Sequence, residues 1–306
     1  MFACAHPAID PGIRAPLILQ TLLGFDAATI ASAFLVSPAA MGQRLSRAKN
    51  KIREAGIPFR VPDSSDLPER LDAVLESIYA AFAEGWSDST GTETGRRNLA
   101  DEAIWLGRLV SALLPDAPEA LGLLALMLHS EARRNARRAA NGDYVPLAEQ
   151  DPAQWDMRFI DEAEALLLRA GQRGELGRYQ IEAAIQSAHA VRRITGRSDW
   201  GAVEKLYDAL AVISASPVVA INRAVAIAEN RGASAGLEAL ADIEADQRLN
   251  NYQPYWAARA ALLARAGDID GAEAAYERAI GLERDPAVRG FLQRRKTALR
   301  GLSHGK

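Results

Sequence analysis

Residues 26–53 read DAATIASAFLVSPAAMGQRLSRAKNKIR, and this stretch contains two clear helix starts. Asp26 is a typical N-cap residue. Ser37 is another, and the proline that follows it lies where a missing N–H costs nothing. The predicted elements are an apolar helix over residues 15–23, a short helix over 27–34, a turn over 35–38 and a longer helix over 39–53.

The longer helix has one apolar stripe and a polar remainder. Four apolar residues follow one another at helical spacing and are predicted to be buried: Met41, Leu45, Ala48 and Ile52. The remaining surface consists of Gln43, Arg44, Ser46, Arg47, Lys49, Asn50 and Lys51. Two short helices, a tight turn and a third helix with one polar side form the helix-turn-helix layout, whose last helix fits the major groove of DNA. The alternative is a basic face that water alone solvates.

Charge is unevenly distributed along the chain. Residues 1–62 contain seven Lys or Arg and three Asp or Glu, whereas the remainder contains 29 basic and 36 acidic residues. A basic head on an acidic body is typical of a protein in which one end contacts phosphate. The net charge of −3 hides this asymmetry.

The totals indicate a soluble globular protein of about two domains. The chain has 306 residues, of which 49% are hydrophobic and 25% are charged. No apolar run approaches the roughly 20 residues that cross a bilayer, and the N-terminus lacks the pattern of a signal peptide. The single cysteine, Cys4, fits a reducing cytosol, so we expect a cytoplasmic protein that does not contact a membrane. One cysteine and four scattered histidines argue against a structural zinc site.

Helical patterning dominates the whole chain and predicts an all-α fold. A proline-rich linker over residues 58–68 separates a predicted domain at 1–62 from a helical extension at 63–306. The extension is helical over 68–178 and tetratricopeptide-like over 179–306. Its best repeat covers residues 255–286, where two helices flank a Gly-Asp break, and a weaker repeat lies one 34-residue period earlier. Ordinary antiparallel helix packing is the alternative.

Several blocks of the chain resemble one protein family. They are CAHPA at residues 4–8, RAKNKIREAGIPFRVP at 47–62, EGW at 84–86, LLPDAPEALGLLALMLH at 113–129, QDPAQWD at 150–156 and SPVVAINRAVA at 216–226. Together with the helix-turn-helix, these blocks resemble extracytoplasmic-function RNA polymerase sigma factors. The similar subgroup carries a long, tetratricopeptide-like C-terminal extension, and residues 1–62 resemble its region 4.

The resemblance implies a function for the head. Region 4 of such sigma factors reads the −35 promoter element and contacts the flap of the polymerase β subunit. By that resemblance, Gln43, Ser46 and Arg47 would face bases, while Arg44, Lys49 and Lys51 would lie on or near phosphate. Gly42 departs from the family, whose recognition helices often carry a basic or polar residue there. The sequence also lacks the N-terminal region 2 that melts the −10 element, so we interpret it as a truncated or shortened sigma factor.

Other candidate sites have simpler explanations. Residues 133–138 contain four arginines, which either meet phosphate or an acidic partner, or pair with local carboxylates such as Glu131. The other local candidates are Asp143, Glu149 and Asp151. His129 and Glu131 match no metalloprotease spacing, and Cys4 with His6 lacks a third partner for nucleophilic catalysis. The aromatic residues of the extension indicate either core packing or a peptide groove: Trp155, Tyr207, Tyr252, Tyr255, Trp256 and Tyr276.

The sequence therefore predicts a non-enzymatic, sigma-factor-like transcription protein without a cofactor. Its expected partners are promoter DNA at the −35 element, the RNA polymerase core through the β flap, and a protein regulator on the helical extension. The alternative is a helical scaffold that binds a protein partner through the extension and retains only a vestigial DNA-binding head.

Overall fold

The computed structural model describes residues 1–57, 60–87 and 94–303, and all their regular elements are helices. The predicted all-α fold is confirmed. The chain divides into two compact units, which we call unit 1 (Met1–Met127) and unit 2 (Leu128–Lys306). Among the described residues, no helix combines the length and the hydropathy that crossing a bilayer requires.

Unit 1 begins with a 3-10 turn at Phe2–Ala5. Its helices are α1 (Pro11–Leu22), α2 (Ala27–Ala33), α3 (Pro38–Glu54), α4 (Leu67–Ser87) and α5 (Thr94–Leu113), and α6 (Pro118–Glu131) runs across the boundary into unit 2. Within the predicted linker at residues 58–68, residues 60–63 are not helical. Pro58 and Phe59 lie outside the described residues. The sequence also predicts a polar, glycine-containing loop over residues 85–95, most of which lies outside the described residues, and α4 extends to Ser87.

The boundary between the two units lies beyond the predicted domain boundary at residue 62. Helix α1 and the N-terminal 3-10 turn both pack against α4, so residues 1–62 share a compact unit with the helices that follow. Arg70 on α4 contributes to this packing, because its buried guanidinium donates to Phe2 O at 3.3 Å. The local spacing of the sequence does not predict this contact, because Arg70 and Phe2 are far apart in the chain.

Unit 2 is an array in which helices close in sequence pack side by side. Its helices are α7 (Met157–Gly171), α8 (Arg178–Ala190), α9 (Arg192–Thr195), α10 (Trp200–Ile213), α11 (Pro217–Arg231), α12 (Ala233–Ala241), α13 (Gln253–Ala266), α14 (Ile269–Leu282) and α15 (Pro286–Ser303). The predicted pair in the best repeat corresponds to α13 and α14. Gly267, with φ of +88°, ends the first helix, and the Asp268 carboxylate caps the second.

Two predicted helix boundaries in unit 2 are wrong. The sequence pattern predicts a helix from about residue 118 to 138, but α6 ends at Glu131, and a 3-10 turn follows at Arg134–Arg137. The Asp151-Pro152 pair predicts a helix start, but only a 3-10 turn forms there, and α7 begins at Met157 with Asp156 as its cap. The Asp156 side chain accepts from the Arg158 N–H at the start of α7, and the Asp156 N–H bonds to Ala132 O at 2.9 Å.

In unit 2, the segment between α6 and α7 contacts the last helix, α15. Arg294 on α15 bonds to Asp143 at 3.3 Å, and Arg295 bonds to Glu149. The ring of Tyr144 packs edge-on against Phe291, with 5.5 Å between the ring centroids. The array therefore returns on itself, since residues about 150 positions apart in sequence are in contact.

Candidate nucleic-acid interface

Two side-chain caps set the positions of α2 and α3. The Asp26 carboxylate accepts a bond from the Thr29 N–H at 2.7 Å, and this backbone bond lowers the pKa of Asp26. The Ser37 hydroxyl accepts a bond from the Ala40 N–H at 3.2 Å. Both caps lie where the sequence predicts them, and they fix where α2 and α3 begin.

The turn between α2 and α3 contains a left-handed residue that the sequence does not predict. Leu35 has φ of +52°, a left-handed conformation that is costly for a residue with a Cβ atom. Bonds from the Leu35 N–H to Ser32 O and from the Val36 N–H to Ala31 O close the end of α2. This closed turn holds the start of α3 next to the end of α2.

One face of α3 is buried, as predicted. Met41, Leu45 and Ala48 are buried, and Ile52 is half-buried. Helix α3 packs against α1 and α2 through this stripe, and the inward-facing Ile30 of α2 is fully buried. The packing therefore directs the opposite face of α3 outward.

The six predicted DNA-binding residues lie around that outward face. Five of them are exposed: Gln43, Ser46, Arg47, Lys49 and Lys51. By helical geometry, Gln43, Ser46 and Arg47 lie opposite the buried stripe, and Lys49 and Lys51 lie on its two flanks. Arg44 is the exception, because it is half-buried and its guanidinium donates to Gly12 O of α1 at 3.2 Å.

A shallow cleft follows the flank of α3 that faces α1. Its volume is about 280 Å³. Three cations of α3 line one side, and residues at the start of α1 line the other. The lining residues are Ile9, Asp10, Ile13, Arg44, Arg47, Ala48 and Lys51.

The basic residues of α3 differ from most arginines of unit 2 in their electrostatic partners. Within the described part of the chain, Arg47, Lys49 and Lys51 take part in no ion pair. In unit 2, exposed arginines commonly pair with carboxylates, as Arg158 does with Asp156 at 2.8 Å. A row of exposed cations without carboxylate partners leaves a positive surface available to an external anion.

The arginines at residues 133–138 bind different partners, some close in sequence and some distant. Arg134 bonds to Glu131 at 2.8 Å, which is one of the local pairs that the sequence suggests. Arg138 instead pairs with Asp285, which directly precedes α15, and Asp143 and Glu149 pair with arginines of α15. Asp151 caps the following 3-10 turn. Arg133 bonds to the Gln186 amide oxygen at 2.6 Å, and Asn135 is exposed.

His129 and His189 are buried in unit 2. Burial, and secondarily the positive charge of Arg133, lowers the pKa of each from 6.5 to about 4. The Glu164 carboxylate lies 3.6 Å from His129 Nε2, but this attraction does not offset the desolvation of the charged ring. Among the residues that the structure describes, no three His, Cys, Asp or Glu side chains are grouped so as to hold a metal ion.

These histidines are expected to make stability depend on pH. The unfolded chain takes up protons on them near pH 6.5, whereas the folded chain does so only near pH 4. Stability is therefore lost as the pH falls through this window, by about 1 kcal/mol per histidine at pH 5.5. Urea unfolding at pH 7 and pH 5.5 measures the loss. A double variant, His129→Gln with His189→Gln, should show a smaller pH dependence, and an unchanged dependence would contradict the assignment.

The other candidate residues are mainly structural. Cys4 is fully buried, and its Sγ lies 3.5 Å from Thr21 Oγ1, while His6 Nδ1 accepts a bond from the Ala8 N–H. Trp155, Tyr255 and Tyr276 are buried in core clusters of unit 2. The remaining aromatic residues are half-buried: Tyr207, Tyr252 and Trp256.

Comparison with known proteins places this fold in a family. Residues 70–171 match a family of unknown function, DUF6596. The chain is 40% identical over 293 residues to the uncharacterized protein R00370 of Rhizobium meliloti (strain 1021), and the match covers 96% of this chain and 69% of the relative. No solved structure matches the chain. Because the identity extends over nearly its whole length, this chain belongs to the family that includes R00370 of Rhizobium meliloti.

Proposed function

We propose that this chain is a sigma-factor-like transcription protein that binds the −35 element of promoters through α3. The observation that carries the proposal is the outward face of α3, where exposed cations have no carboxylate partner among the described residues. A capped short helix and a closed turn precede this face, as in helix-turn-helix proteins. The resemblance to region 4 of extracytoplasmic-function sigma factors supports the same reading.

The position of each α3 residue would determine whether it contacts bases or phosphates. Gln43, Ser46 and Arg47, opposite the buried stripe, would reach base edges, where the guanidinium of Arg47 can donate twice to guanine. Lys49 and Lys51, on the two flanks, would contact phosphates and contribute affinity without sequence preference. Arg44 would contribute less than its charge suggests, because it already donates to the backbone of α1.

The proposal extends to partners and location. By resemblance, the head at residues 1–62 would also contact the β flap of RNA polymerase, and the C-terminal helical array would bind a protein regulator. The acidic balance of residues 63–306 suits a body that stays off the DNA while the head is bound. Such a protein would work in the cytoplasm, without a cofactor and without catalysing a reaction.

Selection from a random pool of DNA duplexes tests the proposal. The full chain, immobilised, should enrich a short motif of the −35 type, and it should retain core RNA polymerase added separately. Enrichment of a motif supports promoter reading. If no motif is enriched at low salt, the promoter-binding proposal fails, and retention of a protein partner alone would favour the scaffold alternative.

A further inference from the structure

The cleft between α1 and α3 collects positive charge on a concave surface of unit 1. Arg44, Arg47 and Lys51 line it from α3, and their spacing of three and four residues places them in one row along the helix. The row extends about 10 Å at the Cα atoms, because a helix rises about 1.5 Å per residue. The cleft volume of about 280 Å³ lies just below the roughly 300–1,000 Å³ of drug-sized ligand pockets. These dimensions suit a small ligand.

The three cations of the row retain donors for such a ligand. Arg47 and Lys51 are exposed and take part in no ion pair among the described residues. Arg44 donates from one guanidinium nitrogen to Gly12 O at 3.2 Å. Because a guanidinium carries five N–H donors, this single bond leaves others for a ligand.

Asp10 is the only carboxylate among the residues that line the cleft in the described structure. Its Oδ1 accepts a bond from the Gly12 N–H at 2.9 Å, and so it caps the start of α1. No ion pair joins it to a cation of α3 within the described residues. The lining therefore carries three positive charges against one negative charge, and this balance favours an anion.

The rest of the lining is apolar. Ile9 and Ile13 come from the α1 side and Ala48 from α3, and all three are buried. An apolar wall keeps part of the water away from a bound anion, and charge interactions are stronger where water is excluded. The cleft thus combines a row of cations with a wall that strengthens their attraction for an anion.

Linked phosphate groups match this row better than one small anion does. Guanidinium forks and lysine ammonium groups both bind phosphate oxygens, and two linked phosphates present oxygens to more than one cation of the row. We propose that the cleft between α1 and α3 binds a small molecule that carries linked phosphate groups, and that this ligand displaces DNA from α3. Displacement follows because Arg47 and Lys51 belong to both sites, and this regulatory part rests on the proposed function.

Titration calorimetry of the full chain tests the cleft, with sodium pyrophosphate as the probe. Sodium chloride keeps the ionic strength constant, so that general screening does not change during the titration. Pyrophosphate should bind with millimolar or tighter affinity. Absence of binding at millimolar pyrophosphate would overturn the proposal.

Two lysine variants locate the binding. Lys51→Gln should weaken pyrophosphate binding at least about fivefold, because one of the three cations is removed. The matched control is Lys49→Gln, the same change on the same helix, since Lys49 is exposed and does not line the cleft. Both variants should weaken DNA binding, but only Lys51→Gln should weaken pyrophosphate binding. Equal pyrophosphate affinity in the two variants would show that the cleft is not the site.

Asp10→Asn should have the opposite effect. Removing the one negative charge of the lining should tighten pyrophosphate binding about threefold or more. Asparagine caps a helix about as well as aspartate, so α1 should still begin at the same residue. Unchanged or weaker binding in this variant would contradict the assignment of the ligand to the cleft.

Competition tests the regulatory part. Pyrophosphate should release a labelled duplex from the chain at concentrations near its own dissociation constant, and sodium chloride of equal ionic strength should release less. Equal release by the two salts would overturn the displacement. If the chain binds no duplex at all, the proposed function fails and the displacement with it, whereas the calorimetry still decides whether the cleft binds pyrophosphate.

Discussion

Replacing Arg47 and Lys51 with alanine together is expected to weaken binding to the selected DNA duplex roughly a hundredfold. An arginine that donates to a base edge contributes about 1–3 kcal/mol, and a lysine on phosphate adds an electrostatic contribution that is independent of sequence. Both side chains are exposed and have no ion pair among the described residues, so alanine should remove little from the fold. Fluorescence anisotropy with labelled duplex at fixed salt measures the affinity.

The matched control removes the same charge elsewhere. Arg158 and Arg248 are exposed arginines of unit 2, each paired with an aspartate two residues before it. The Arg158→Ala, Arg248→Ala double variant should bind DNA as the unchanged chain does. Equal loss in both double variants would mean that overall charge, and not the face of α3, determines binding. Arg44→Ala should cost less than Arg47→Ala, because Arg44 donates to Gly12 O.

Gly236→Ala is expected to destabilise unit 2 by about 1–3 kcal/mol, although alanine is the better helix former. Helix α12 crosses α11 so closely at Gly236 that an added Cβ would lie 2.5 Å from Ala228 Cβ and 2.8 Å from Ala224 O. The second of these atoms belongs to the backbone and cannot move aside cheaply. Urea unfolding followed by circular dichroism measures the change.

Gly281→Ala provides the control for this prediction. Gly281 lies in α14, and a Cβ built there would meet no atom within 4 Å. The substitution should leave stability unchanged or raise it by up to about 1 kcal/mol. If Gly236→Ala proves as harmless as Gly281→Ala, then α11 and α12 do not approach as closely as the structure describes.

The local part of the fold was predictable because local chemistry determines it. Asp26 and Ser37 cap α2 and α3 at the expected positions, and the apolar stripe of α3 is buried as its spacing predicts. The Gly267-Asp268 break between α13 and α14 was equally visible, since glycine takes the left-handed conformation there and aspartate caps the next helix.

Long-range contacts were not predictable in the same way. The pairing of Arg138 with Asp285 joins residues 147 positions apart, so no helical spacing could have indicated it. The left-handed Leu35 was also hidden, because leucine gives no signal for that conformation. The environment of Arg133 depends on Tyr207 and Gln186, which only the packing of α8 and α10 brings near.

The dependence of DNA affinity on salt tests the central claim most directly. The full chain and the selected duplex are titrated at several salt concentrations, and the logarithm of the association constant is compared with that of the salt concentration. If Lys49 and Lys51 contact phosphates, the affinity should fall with salt, and Lys51→Ala should reduce the slope by about one. Affinity that does not change with salt, or a slope that Lys51→Ala leaves unaltered, would contradict DNA binding by α3.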